Sequence, residues 1–344
     1  MYETAKVQAI FFMEEQEQQI NSNTSLNNTL ELPFTLPSKK SQEMNYWSQL
    51  GLFLGLTGGG LVIGGIVSVV IFLVMTGANI LNIEKELLNP KYINANKTVQ
   101  VVSTVIMFFL PAYLFALIAH KKPFKYLQFN TKISFKQIIL VLFIATLALF
   151  VGSLLAEINA SIPISKKLYT IFKKAEDAYA EQILVMVNMK NISDYLMAIF
   201  IIALAPAIVE EVFFRGAFQN LLTNWIKNPW IAIIITSIIF SAIHMSYFGF
   251  LTRAALGIIL GLLFYYGRSI WLNILAHFLN NAVAVSQLYY MGKKGKLTKD
   301  AMEDHFPIWI GIVALVLLLV TIYFFILESK RINNPKEAIQ TTVA

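Results

Sequence analysis

Three polar runs interrupt the hydrophobic second half of the sequence, and their residue types are those of hydrolytic chemistry. The first contains Pro206, Glu210, Glu211 and Arg215. Glu211 and Arg215 lie four residues apart, so on a helix they share a face and can pair. Pairing is the condition under which both stay ionised at membrane depth. Glu210 is turned about 100° from Glu211 on a helix of 3.6 residues per turn. The residue four beyond it is Phe214, so its partner must come from another helix. A carboxylate that lacks a cation in partly desolvated surroundings is suited to accept a proton near neutral pH. Pro206 removes one backbone donor a turn before the glutamates, which predicts a kink there.

The second run places Phe240 and His244 four residues apart, and the third puts Asn273, His277 and Asn281 on one stripe. Neutral donors in apolar surroundings can stabilise an oxyanion. A carboxylate base, an imidazole from a second segment and donors from a third are the parts needed for attack of water on an amide. Each run also has a plainer reading. The glutamates could lie on a helix end outside the bilayer, His244 could simply pack, and the His/Asn stripe could be an interhelical hydrogen-bond seam. No His-Glu-x-x-His run occurs, which excludes the standard zincin motif. Glu210, His244 and His277 would still form a three-ligand set of the catalytic zinc type. Bound Zn2+ and no cofactor at all are both open at this stage.

The elements that must position these residues are membrane helices. The chain is 57% apolar and 14% charged, against about 45–50% and about 25% in soluble domains. Eight stretches approach the ~20 apolar residues needed to cross a bilayer. They lie near 48–77, 99–119, 136–158, 194–222, 229–246, 248–267, 269–290 and 307–327. The fold class is therefore an all-α integral membrane protein of about eight transmembrane helices, four of them forming the catalytic core. The fifth and sixth spans are expected to meet in a tight hairpin around Tyr247. Charged side chains cost about 2.5–3.5 kcal/mol at mid-helix on insertion scales, so the polar runs should face a cavity. Gly-x-x-x-Gly pairs in the first span and a further one at Gly257 and Gly261 predict close helix packing.

Outside the spans, residues 1–46 read as a polar tail, and glutamates at 3, 14, 15 and 17 argue against a cleaved signal peptide. Residues 47–160 hold accessory transmembrane helices. Residues 161–192 carry Leu168, Ile171, Phe172, Ala175 and Tyr179 at helical spacing between lysines, which predicts an amphipathic helix in the interface. The four-helix core spans 193–290, a loop and last span 291–327, and a second tail 328–344. The net charge of +7 is read as loop lysines facing lipid headgroups, not as nucleic-acid binding. Lysines at 121, 122, 125 and 132, with Lys330 and Arg331, favour both termini inside, whereas those at 293, 294, 296 and 299 argue the other way. The absence of cysteine excludes disulfides, thiolate metal sites and a thiol nucleophile.

Taken in order, Glu-Glu-x-x-x-Arg (Glu210, Glu211, Arg215), Phe-x-x-x-His (Phe240, His244) and His-x-x-x-Asn (His277, Asn281) resemble a known pattern. It is that of the CPBP family of intramembrane proteases, which covers CaaX prenyl endopeptidases and bacterial bacteriocin-processing or immunity (Abi) proteins. The resemblance spans about residues 195–290. It implies that Glu210 activates water with help from His244, and that His277 and Asn281 stabilise the oxyanion. Glu211, Arg215, Phe240 and Asn273 would support them. The family is described both as metal-dependent and as glutamate-type. The implied partners are a peptide or membrane-protein substrate and the lipid bilayer, and the implied location is a bacterial inner membrane. Two other readings compete. One is a non-catalytic immunity or scaffold protein. The other is a proton-coupled carrier, against which stands the lack of an inverted repeat between the two halves.

Overall fold

A computed structural model describes residues 44–187, 189–298 and 306–333. The polar tail expected at 1–46 and the end of the second tail, 334–344, lie outside the described residues apart from 44–46. Nine helices of 14 residues or more occur among the described residues. They are α1 (Tyr46–Thr76), α2 (Pro90–Ala119), α3 (Phe135–Ser161), α4 (Lys166–Met186) and α5 (Ile192–Ile226). The remainder are α6 (Pro229–Ala242), α7 (Phe250–Gly267), α8 (Ile270–Lys293) and α9 (Ile308–Asn333).

Apart from α4, these helices coincide with the eight stretches read from hydropathy. Six of them (α1, α2, α3, α5, α7 and α9) are long and apolar enough to cross a membrane. Helix α6 has only 14 residues, and α8 carries Asn273, His277, Asn280 and Asn281. The protein is an all-α integral membrane protein.

Local sequence sets where these helices begin. Asn45 caps α1 by accepting from the Ser48 amide, and Ser134 with Gln137 forms a capping box at the start of α3. Asn191 and Asp194 do the same for α5, while Asn228 followed by Pro229 opens α6. Helix α9 runs to Asn333, six residues past the end expected at 327. Its last turns are held by Glu328, which accepts from Ser134 and from Arg331, and by Ser329, which accepts from Gln137. Polar side chains paired this way extend the helix beyond its apolar stretch.

The core consists of α5, α6, α7 and α8 packed on one another. Helices α1 and α2 brace α5 from one side, where Phe53 packs on Phe213 and stacks on Phe218 at ring separations of 5.0 and 5.4 Å. Helices α3 and α9 close the other side against α7 and α8 through residues such as Val141, Ile144, Leu263, Leu318 and Phe325.

The glycines divide into two groups. A Cβ at Gly60 would stand 2.6 Å from Pro111 Cγ, and one at Gly64 2.5 Å from Met107 Cγ, so these two let α1 lie against α2. Gly51, Gly55, Gly58, Gly59 and Gly65 face open space. Gly257 and Gly261 bring α7 onto α6, where a Cβ would meet Ser237 and Ile233 at 2.8 Å.

Candidate active site

Helix α5 carries the two glutamates, and its backbone is irregular on both sides of them. Residues Ile199–Leu204 and Val212–Gln219 are π-helical and flank the α-turns of Ala205–Glu211. Pro206 accounts for the first segment: a missing donor disrupts the i→i−4 ladder, and the wider turn re-forms bonds at i→i−5, as from the Ala205 amide to the Phe200 carbonyl. The expected kink is thus taken up as a local widening of the helix.

Glu211 and Arg215 are both fully buried, and Arg215 Nη1 donates to Glu211 Oε1 at 2.7 Å. The guanidinium reaches on to the Gly257 carbonyl at 3.3 Å and sits 4.7 Å from the centre of the Phe240 ring. Gln219, one turn further along α5, donates to the Gly261 carbonyl at 3.0 Å in the same way.

Glu211 also accepts from His277 Nδ1 at 2.8 Å, and Asn273 Nδ2 lies 3.4 Å from its other oxygen. Asn273 donates to the Leu260 carbonyl as well, so its amide is committed within the helix packing. Because a carboxylate only accepts, His277 carries its proton on Nδ1 and turns Nε2 away from Glu211. That Nε2 stands 3.9 Å from Glu210 Oε2. The Glu210 side chain is 18% exposed, and no cation pairs with it among the described residues. Two successive glutamates thus have different surroundings: one is sealed among Arg215, His277 and Asn273, the other faces an imidazole and solvent.

His244 does not lie within α6. The helix ends at Ala242, tightened by i→i+3 bonds from the His244 and Met245 amides, and Met245 takes a left-handed φ of 53°. The hairpin expected to turn on one or two residues is a seven-residue turn, 243–249, with Gly249 at the start of α7. Polar anchors stabilise this longer turn: Ser246 donates to Glu176 of α4 at 2.7 Å, and Asn159 of α3 donates to the Tyr247 carbonyl. His244 Nδ1 is 2.7 Å from the Phe240 carbonyl, which accepts, so its Nε2 also carries the lone pair. The Phe240 ring lies between the two imidazoles, 4.9 Å from His244 and 6.0 Å from His277. Glu210 and His277 are both electrostatic neighbours of His244.

Glu210, Glu211, Arg215, Phe240, His244, Asn273 and His277 therefore assemble. Asn281 is a turn further along α8, and its side-chain oxygen lies 3.4 Å from Asn280 Nδ2. With Nδ1 engaged in each histidine, Nε2 is the nitrogen left for a ligand, an arrangement that suits metal ligation. Among the described residues, however, no three His, Cys, Asp or Glu side chains come together to hold a metal ion.

Arg253, in the first turn of α7, was missed by the motif reading, as were Tyr179 and Glu176 of α4. The guanidinium of Arg253 lies beside the Tyr179 hydroxyl and is also an electrostatic neighbour of His244. The signal was present in the sequence, because an arginine inside a predicted span is itself costly.

The fold and this cluster define a class: an integral membrane protein with a carboxylate–imidazole cluster where its helices meet. Residues 192–283 match the protein-family model of the type II CAAX prenyl endopeptidases, Rce1-like. The matched stretch begins with α5 and ends within α8, the segment singled out by the three motifs, and the family resemblance is borne out. This is a family of proteases, which supports peptidase activity in the membrane. No curated protein and no solved structure matches the chain.

Proposed function

We propose that this protein is an intramembrane endopeptidase in which Glu210 activates the attacking water. The observation that carries the reading is the difference between the adjacent glutamates: Glu211 is consumed by Arg215 and His277, whereas Glu210 is cation-free and faces His277 Nε2 at 3.9 Å. A water bound at Glu210 gives that carboxylate a proton as its oxygen attacks the peptide carbonyl carbon, with the His244 Nε2 lone pair assisting. The oxyanion that forms takes hydrogen bonds from Asn281 and from His277. The His277 ring donates through Nε2 in the form that has taken a second proton from bulk water before the attack, and the Glu211 carboxylate on Nδ1 stabilises that imidazolium. Glu210 then returns its proton to the leaving amine. Arg215, Phe240 and Asn273 hold this frame without touching the substrate.

The substrate is a peptide or membrane-protein segment cut near the membrane surface, in a bacterial inner membrane on the reading above. The family's name makes C-terminal prenylated peptides the first to assay. The route proposed here uses side chains and one water.

Glu210→Gln keeps the shape and removes the base. Cleavage should fall by about 100- to 10,000-fold, the usual range for general-base removal, while membrane insertion is retained. Turnover that persists in this variant would sink the mechanism. A protective or binding effect that survives it would favour the non-catalytic reading instead.

A further inference from the structure

Helix α4 lies outside the stretch matched by the family model, yet one of its faces is spent on the glutamate–histidine cluster. Tyr169, Phe172, Glu176 and Tyr179 follow one another at intervals of three, four and three residues, so they share one side of the helix. Their partners run in order along the turn after α6. Tyr169 meets Phe248 edge to face at 5.9 Å, Phe172 stacks on Tyr247 at 4.7 Å, and Glu176 accepts from Ser246 at 2.7 Å. This register brings the last residue of the stripe, Tyr179, to the cluster itself. Its hydroxyl oxygen accepts from the Arg253 guanidinium, and Glu210 is among its electrostatic neighbours.

A phenol has an oxygen that accepts and one O–H that donates. With the oxygen engaged by Arg253, the O–H is left to act on a substrate. The neighbouring cation polarises the phenol and makes it a stronger donor than an isolated tyrosine. There is room for a peptide to reach the pair: Tyr179 is 47% exposed, and Arg253 lines a pocket of about 660 Å³ between α3, α7 and α8. A carbonyl attacked by a water bound at Glu210 must itself lie close to Glu210. Its oxygen therefore falls among the donors gathered around that carboxylate.

We propose that Tyr179 is a catalytic residue of this site, its hydroxyl donating to the oxygen of the scissile carbonyl as the tetrahedral intermediate forms, with Arg253 as its positioning residue. The phenol keeps its proton throughout, so the proton still passes from water to Glu210 and on to the leaving amine. This inference rests on the endopeptidase reading and adds to it a donor from a helix that bears none of the three motifs. It also gives α4 a task beyond lying in the membrane interface.

The test uses the full chain in detergent and an S-farnesyl peptide ending in a C-a-a-X sequence. Tyr179→Phe keeps the ring and removes only the hydroxyl. Its kcat should fall about 100-fold, the lower end of the cost of removing one oxyanion donor, with KM and the unfolding temperature unchanged. Substituting 3-fluorotyrosine for Tyr179, which keeps the O–H and makes it more acidic, should recover most of that loss. Arg253→Gln should lower kcat in the wild-type background and much less in Tyr179→Phe, because a positioning residue acts through the group it positions. Losses that multiply in the double variant would overturn the role of Arg253. Full kcat in Tyr179→Phe, with cleavage still lost in Glu210→Gln, overturns the assignment of Tyr179 and leaves the endopeptidase reading standing. A loss confined to KM, or one that appears only with a lowered unfolding temperature, also overturns it, since the hydroxyl would then serve binding or packing. Cleavage that is the same in wild type and Glu210→Gln, or absent from both, sinks the endopeptidase reading and the role of Tyr179 with it.

Discussion

Glu211 and His277 are joined at 2.8 Å, so the carboxylate next in sequence to the proposed base orients the proposed oxyanion donor. The same oxygen of Glu211 takes the Arg215 guanidinium at 2.7 Å. One buried carboxylate thus serves both the stability of α5 and the tautomer of His277. Its removal should therefore have two separable consequences.

Glu211→Gln leaves Arg215 buried without its counter-charge, and removal of one partner from a buried pair costs about 3–5 kcal/mol. A marked drop in the unfolding temperature is expected. Pairing it with Arg215→Met should recover much of that stability but not the activity, since His277 still lacks its carboxylate. Recovery of both in the double variant would show that Glu211 acts only through Arg215.

The two groups of glycines predict opposite results in one assay. Gly261→Val drives a side chain into Ile233 and Gln219, and overpacking of this kind costs about 1–3 kcal/mol. Gly55→Ala faces open space and should be neutral or stabilising by up to about 1 kcal/mol. Thermal unfolding in one detergent compares them. A destabilised Gly55→Ala would mean that this face of α1 is covered in solution.

Phe240→Leu removes the ring that lies against Arg215 and both imidazoles. A cation–π contact of this kind contributes about 0.5–2 kcal/mol. The variant should lose stability on that scale and a larger share of kcat than of substrate affinity. An unchanged kcat would show that the ring does not position the imidazoles.

Chelation tests the metal-free route. Activity in EDTA should equal that of the untreated protein, and metal analysis should find no stoichiometric zinc. Activity lost in chelator and restored by added zinc would replace the glutamate mechanism with a metal-assisted one.

Helix α4 is tied to the turn after α6 by the Ser246–Glu176 hydrogen bond and by Phe172 stacked on Tyr247 at 4.7 Å. Phe172→Ala with Glu176→Ala should free it, read as faster trypsin cleavage at Lys173 and Lys174. Unchanged cleavage would mean that other contacts hold this helix to the core.

Length and hydropathy alone determined that the chain is a bundle of membrane helices, because a bilayer admits few other arrangements of an apolar chain. Helical periodicity likewise placed Glu211 opposite Arg215, since residues four apart on one helix must face the same way. Contacts between helices cannot be obtained from periodicity. Only the tertiary structure shows that Glu211 also binds His277, 66 residues away, and that Asn273 is committed to Glu211 and Leu260. It also decided the seven-residue turn that holds His244 and the placing of Arg253 beside a pocket. Both depend on anchors from α3 and α4 that lie 70 residues or more away in the chain. Local spacing specifies a face of one helix, whereas the site is built where faces of several helices meet.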